Sequence, residues 1–207
     1  MMSLFSFGSK SHKPATPTTW QDGQTYGDWK DQFGGYGVIE PVGANLSMQP
    51  QRSLLPSETS SCLVTSEEAF GDITASVTMT TLAQLRMGSR PNPWEVAWFL
   101  WAYEDNTHFY YLVLKPNGWE LGKEDPAYPG SQRFLATGTS PNFPIMLPWS
   151  VQVSQSGANI IVNVDGKRLV NFTDMQNPYL AGSIGLYCED AHVEFSPVIV
   201  DGKTLSW

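Results

Sequence analysis

Aromatic and ionisable side chains are concentrated between residues 94 and 133. Three segments, Trp94 to Tyr103, His108 to Lys115 and Trp119 to Glu124, alternate flat rings with groups that ionise or donate hydrogen bonds. Such a mixture suits a ligand with apolar C–H faces ringed by hydroxyls, because rings cover the apolar faces while polar groups bind the hydroxyls. We therefore expect this stretch to bind a carbohydrate-like ligand.

The three segments predict an antiparallel meander. The intervening residues Glu104 to Thr107 and Pro116 to Gly118 are typical of turns. A four-residue first turn places Trp101 opposite Tyr110 and Phe99 opposite Leu112, and a three-residue second turn places Tyr110 opposite Glu124. A change of one residue in either turn would exchange the two faces of the sheet.

The period of two divides these side chains between two faces. The mostly apolar face is predicted to face the core and holds Trp94, Val96, Trp98, Leu100, Phe109, Tyr111, Val113 and Leu121. The other face is predicted to be the site and holds Glu95, Phe99, Trp101, Tyr103, His108, Tyr110, Glu120 and Glu124. The candidate catalytic residues on it are Glu95, His108, Tyr110 and Glu120. In the alternative interpretation, these rings only stabilise the sheet as cross-strand pairs.

The segment after the meander, Asp125 to Arg133, contains Pro and Gly among polar side chains and would form the rim of a cleft. Arg86 and Arg90 precede the meander and would suit an anionic sugar, because a guanidinium binds a carboxylate through two hydrogen bonds. Either arginine could instead be solvated or structural. The candidate ligand-binding residues are Arg86, Trp101, Tyr103, Glu124, Asp125, Tyr128, Gln132 and Arg133.

Composition favours an all-β protein. Charged residues make up 15% of the chain, and 18 Gly with 15 Pro favour many short strands and turns. Ile73, Ala75, Val77 and Met79 alternate with Ser and Thr, as expected for a strand with one buried face. Asp165-Gly166 predicts a tight hairpin.

Residues 1–19 are predicted to be a flexible tail and residues 20–207 a single domain. The net charge of −8 argues against a nucleic-acid partner, because phosphate-binding proteins carry clustered Lys and Arg. The sequence contains neither a run of 18 apolar residues nor a secretory signal pattern, so we expect no membrane span and, by default, a cytoplasmic location. It makes no prediction of oligomeric state. Cys62 and Cys188 could pair or remain separate thiols.

Three stretches carry a family resemblance: YEDNTHFYYLVLKPNGWELGKED, GKRLVNFTD and GSIGLYCEDAHVEFSPVIV. In this order they resemble the concanavalin A-like jelly rolls, such as laminin G-like modules and bacterial 3-keto-disaccharide hydrolase domains. The resemblance covers residues 70–200 and implies a two-sheet antiparallel jelly-roll sandwich with a concave cleft. Many domains of this architecture hold a structural calcium ion on the convex side, for which the candidate ligands here are Asp22, Glu189, Asp190 and Asp201; in the alternative interpretation, which we favour, these are surface acids that bind no metal.

This architecture serves lectins, carbohydrate-binding modules, glycosidases and polysaccharide lyases alike. The laminarinase-like Glu-x-Asp-x-x-Glu run is absent from the sequence. We expect a domain that binds or acts on an oligo- or polysaccharide through an aromatic and acidic concave face. One alternative is a glycoside hydrolase, or a lyase using His108, Tyr110 and an Arg, at the same face. Another is a structural or protein-interaction subunit.

Overall fold

The computed structural model describes residues 19–207, so the predicted N-terminal tail lies, apart from Thr19, outside the described residues. The described chain forms strands and no helix. The strands are β1 Thr25–Tyr26, β2 Trp29–Phe33, β3 Val38–Val42, β4 Asn45–Gln49, β5 Ser61–Phe70, β6 Ile73–Gln84, β7 Ala97–Asp105, β8 His108–Lys115, β9 Gly118–Glu124, β10 Gln132–Gly138, β11 Pro148–Ser156, β12 Asn159–Val164, β13 Lys167–Thr173, β14 Gly182–Glu189, β15 Ala191–Phe195, β16 Ile199–Val200 and β17 Lys203–Thr204.

These strands form two antiparallel sheets packed as a sandwich, which confirms the predicted fold class. The eight-stranded sheet has the order β1-β2-β5-β14-β7-β8-β9-β10. The nine-stranded sheet has the order β13-β12-β11-β6-β15-β4-β3, with β16 added beside β6 and β17 beside β16. Residues of both sheets make up the main apolar core.

Local sequence accounts for several of these strands. In β6, Ile73, Ala75, Val77 and Met79 are buried in the core and the intervening residues are more exposed. Asp165 and Gly166 have φ values of 49° and 72°, as the predicted tight hairpin between β12 and β13 requires.

The predicted meander is β7, β8 and β9, and the predicted pairs Trp101–Tyr110 and Phe99–Leu112 are confirmed. The turn between β7 and β8 contains only two residues, because a bulge beginning at Ala102 (φ 48°) lets Asp105 pair with His108. The second turn is also shorter than predicted: Lys115 pairs with Gly118, so Glu124 pairs with Phe109 and not with Tyr110.

The predicted assignment of faces is wrong for β7 and β8, although in β9 Leu121 lies in the main core and Glu120 and Glu124 point outward as predicted. Phe99, Trp101 and Tyr110 point between the sheets and are fully buried in the main core. Trp98, Leu100 and Tyr111 point away from the nine-stranded sheet and belong to a second apolar cluster. Both sets are rich in aromatic and apolar side chains, so alternation alone could not show which one faces the other sheet.

Polar side chains bridge the two sheets inside the sandwich. The indole Nε1 of Trp101 donates to Oε1 of Gln155 on β11, at 2.8 Å. The hydroxyl of Tyr110 and the ammonium of Lys123 each donate to Oδ2 of Asp174, both at 2.8 Å. Lys123 and Asp174 are fully buried and compensate each other's charge at closest range, with Asp125 at 3.7 Å from Lys123 and Arg133 at 3.9 Å from Asp174 as more distant partners.

Two further features of the fold bear on earlier expectations. Cys62 and Cys188 are buried free thiols on directly opposed positions of β5 and β14.

Among the described residues, no segment forms a helix of the length and hydrophobicity needed to cross a bilayer.

We predict that Lys123→Ala destabilises the protein by about 3–5 kcal/mol, because Asp174 would remain buried without its cationic partner. The measurement is urea unfolding at neutral pH. The control is Lys203→Ala, which removes an ion pair with Glu68 whose side chains are both about half exposed. The control should leave the unfolding midpoint unchanged. Equal midpoints for the two variants would contradict the structural role assigned to Lys123.

Asp31 is a buried carboxylate of a different kind. It lies on β2, is fully buried, and neither carboxylate oxygen has a hydrogen-bond partner among the described residues. Burial, with a smaller contribution from the negative charge of Asp22, raises the pKa of Asp31 to about 6. The folded protein therefore binds a proton at this site more tightly than the unfolded chain does.

A raised carboxyl pKa lowers stability as the pH rises from the unfolded value of 3.8 through about 6. We predict that Asp31→Asn removes this loss. Relative to the wild type, the variant should gain roughly 1–3 kcal/mol of unfolding free energy on going from about pH 4 to about pH 8. Urea titrations at both pH values measure the gain. If the unfolding free energies of the wild type and the variant changed equally with pH, Asp31 would not be the cause of the loss of stability.

Candidate functional site

The outward face of the eight-stranded sheet, hereafter the groove face, carries a cavity of about 380 Å³. Strands from both halves of the sheet contribute to it, together with the loop before β10. Its lining residues are Phe33, Leu63, Trp98, Leu100, Asn106, Phe109, Glu124, Gly130, Gln132, Tyr187 and Glu189. A volume of this size and a mixed apolar and polar lining are typical of small-ligand sites.

A continuous row of aromatic rings crosses the groove face. The ring of Trp98 lies 5.4 Å from that of Tyr187, edge-on, and 5.0 Å from that of Tyr111. Phe109 follows at 6.4 Å from Tyr111, and Tyr103 at 5.8 Å from Phe109. The rings come from strands β14, β7 and β8, so the pairing of these strands brings the rings next to one another.

Small residues allow this packing. A Cβ atom on Gly122 would lie 2.2 Å from the hydroxyl oxygen of Tyr111, so the tyrosine ring can lie over β9 only where the opposing residue has no side chain. Gly185 on β14 is likewise opposite a large side chain, that of Leu100 on β7. Both glycines therefore contribute to the depth of the groove.

Two carboxylates line the cavity at the ends of β9 and β14. Burial, with a smaller contribution from the charge of Glu189, raises the pKa of Glu124. Burial also raises the pKa of Glu189, and Asp190 and Glu95 raise it further. The Tyr187 hydroxyl, which donates to Oε1 of Glu189 at 2.8 Å, opposes that shift.

Tyr111 contributes a buried hydroxyl to the same region. Its oxygen has no partner in hydrogen-bonding geometry among residues 19–207, and burial raises the pKa of its phenol. The side chain of Gln132 has a smaller opposing effect on that pKa. A ligand hydroxyl reaching this oxygen would satisfy a group that the protein leaves unpaired.

A second cavity of about 360 Å³ adjoins the first and shares Trp98, Gln132 and Glu189 with it. It adds Glu120, whose carboxylate pairs with Lys115, and two exposed rings, Trp94 and Phe134. Phe134 is 53% exposed. The shared residues make the two cavities one groove that extends along the sheet.

Several residues predicted from the sequence lie in this groove. Glu120, Glu124 and Gln132 line the cavities, and Tyr103 joins the aromatic row because the bulge at Ala102 turns it to the groove face. Tyr128 is exposed on the neighbouring loop, with the guanidinium of Arg133 5.9 Å from its ring.

Other predicted site residues lie outside the groove. Trp101 and Tyr110 are in the main core, where each is hydrogen-bonded to a polar side chain. Arg86 and Glu95 are buried together, and Arg86 also binds Asp190 at 2.7 Å. The structure contradicts the role predicted for Arg86 with an anionic sugar, because its guanidinium is buried and already paired with two carboxylates.

The remaining predicted residues lie outside the cavities. His108 is at the β7–β8 turn, beside Asp105 at 3.0 Å. Asp125 is mostly buried and accepts a hydrogen bond from the amide of Ala127 at 3.1 Å. The guanidinium of Arg133 lies 3.9 Å from Asp174, towards the other side of the sheet.

Sequence reasoning missed Trp98, Phe109 and Tyr111, which it assigned to the core, and Phe33, Tyr187 and Phe134, which it did not assign to the site. One sequence signal for the first three was Gly122, since a glycine opposite Tyr111 indicates that a large ring covers that strand. Phe33 and Tyr187 join the site only through the pairing of β2, β5 and β14.

The carboxylates predicted to bind calcium are not brought together. Asp22 accepts a hydrogen bond from the amide of Gly34, and Asp201 from that of Thr74. Asp190 pairs with Arg86, and Glu189 lines the groove. Within residues 19–207, no three His, Cys, Asp or Glu side chains are grouped so as to hold a metal ion. These residues therefore do not fit the calcium site.

No family model and no curated protein matches this sequence. Solved structures do match it. The carbohydrate binding module CBM66 from Bacillus subtilis has a TM-score of 0.65 at 13% identity, over 84% of this chain and 95% of that one. A structure described as a native glycosidic hydrolase has a TM-score of 0.60 at 12% identity, over 86% of this chain and 92% of that one.

The exoplasmic/lumenal domain of VIP36, in its Ca²⁺/Man3GlcNAc-bound form, has a TM-score of 0.54 at 13% identity, over 87% of this chain and 86% of that one. At such identities the likeness concerns the fold. The chain thus has the concanavalin A-like jelly-roll fold that the sequence resemblance implied, and its groove lies on the outward face of one sheet of that fold.

Proposed function

We propose that this domain binds an oligosaccharide in the groove of the eight-stranded sheet. The observation that carries the proposal is one open groove lined by the aromatic rings of Trp98, Phe109 and Tyr187 together with Asn106, Glu124, Gln132 and Glu189. Rings pack against the C–H faces of a sugar, and amides and carboxylates bind its hydroxyls. The proposal includes no calcium ion, since the candidate ligands lie apart.

The known structures with this fold support the proposal without deciding it, because one fold hosts many functions. A carbohydrate binding module and a sugar-bound domain are among them. The two adjoining cavities share their central residues, so a ligand of more than one sugar unit fits the groove better than a single unit.

A second candidate function, glycoside hydrolysis, is favoured by one specific observation. Glu124 and Glu189 line the same cavity, and burial raises the pKa of both. Glycosidases use a pair of carboxyl groups, of which one must keep its proton near the working pH. A raised carboxyl pKa is what such an acid requires.

We predict that Phe134→Ala weakens glycan binding by about tenfold, because an exposed ring at the groove loses its contact with the sugar. A glycan array identifies the ligand, and calorimetry with that ligand measures the affinity. Phe134 is exposed, so the substitution should leave the thermal unfolding temperature unchanged.

The matched control is Tyr36→Ala, which removes another exposed ring that lines neither cavity. It should bind like the wild type. Equal losses in the two variants would contradict a site in the groove. Absence of binding to every glycan, together with a stable oligomer in solution, would favour the alternative of a protein-interaction subunit.

For the second candidate, we predict that neutral polysaccharides incubated with the protein release new reducing ends without unsaturated products. Glu124→Gln and Glu189→Gln should each slow this release by about a hundredfold or more, because a general acid or base contributes about that much. Glu40→Gln, on β3 of the other sheet, is the control. Undiminished release in both groove variants would rule out these two residues, and no release at all would leave binding as the function.

A further inference from the structure

The groove contains two carboxylates that form no ion pair with a cationic side chain of the described residues. Glu124 and Glu189 both line the first cavity, and neither forms an ion pair within the described part of the chain. Each is only partly accessible to solvent. A buried or half-buried charge without a partner is unfavourable, so both carboxylates would gain from a cation placed between them.

The cationic groups closest to the groove are already paired. Arg86, behind Glu189, is shared between Glu95 and Asp190, so one guanidinium faces three carboxylates. Lys115 is paired with Glu120 in the second cavity.

Cations elsewhere in the eight-stranded sheet do not reach the cavities. Lys30 on β2 is not among the residues that line either one. Lys123 is buried on the opposite face, and Arg133 is directed towards Asp174. The groove is therefore acidic as a whole.

This excess of negative charge discriminates between classes of sugar. An anionic sugar would meet repulsion from both carboxylates, and a neutral sugar would cover them without compensating their charge. An ammonium group would form charge-assisted hydrogen bonds with them. We propose that the groove selects glycans whose sugar units carry a free, positively charged amino group; this rests on the function proposed above.

The experiment compares oligosaccharides that share a backbone and differ in one substituent. Hexamers of glucose-type and galactose-type units are prepared with a hydroxyl, an acetamido group or a free amine at carbon 2. Binding is measured by calorimetry at about pH 6, where a sugar amine is protonated. The wild type should bind an amine form at least about tenfold more tightly than both neutral forms of the same backbone.

Three variants test whether the two carboxylates cause this preference. Glu124→Gln and Glu189→Gln should each reduce the ratio of amine to neutral affinity several-fold. Glu40→Gln, which removes a carboxylate from the other sheet, should leave the ratio unchanged. Added salt should also reduce the ratio in the wild type, because the attraction is between charges.

The possible results separate this inference from the proposed function. Binding of a neutral form as tight as, or tighter than, its amine counterpart would overturn the selection of amino sugars and leave glycan binding intact. Preference for the amine that survives in both glutamine variants would overturn the role of Glu124 and Glu189. Absence of binding to all six hexamers would count against both proposals.

Discussion

The hydrogen bonds of Trp101 and Tyr110 across the sandwich determine how the rest of this domain is arranged. Trp101 binds Gln155 on the nine-stranded sheet, and Tyr110 binds Asp174 directly after β13. Both donors are completely buried, so loss of either bond would leave polar atoms without partners. With these residues held inside, their neighbours on β7 and β8 must point outward. The outward set, which includes Trp98 and Tyr111, then forms the floor of the groove.

Two details of the backbone refine that floor. The bulge at Ala102 reverses the side-chain alternation and adds Tyr103 to the groove face. The two-residue turn after Lys115 places Glu120 and Glu124 outward, on the same side as Trp98. Without the bulge Tyr103 would leave the groove face, and with a turn one residue longer Glu120 and Glu124 would point to the face opposite Trp98. The composition of the groove therefore depends on one bulge and on the length of one turn.

Charges of the same type have different roles because their surroundings differ. Lys123 with Asp174, and Arg86 with Glu95 and Asp190, are buried networks in which opposite charges compensate one another. Glu124 and Glu189 form no ion pair within the described residues, and they line a cavity where a ligand can reach them. The compensated groups stabilise the sandwich and the uncompensated ones are available for recognition.

The sequence by itself determined the all-β class, the meander of β7 to β9, the pairing of Trp101 with Tyr110 and the hairpin at Asp165-Gly166. Each follows from short-range patterns: a period of two, turn residues and β-forming side chains. The same patterns led to the prediction of Glu120, Glu124 and Gln132 as site residues, and these three line the groove. The sequence could not show which face of the meander lies inside, because both faces carry large apolar rings and alternation alone does not indicate which face is buried. Only the tertiary structure decided this, through the partners that β11 and Asp174 offer to Trp101, Tyr110 and Lys123. It likewise decided that Arg86 is occupied, since its partner Asp190 is 104 residues away along the chain.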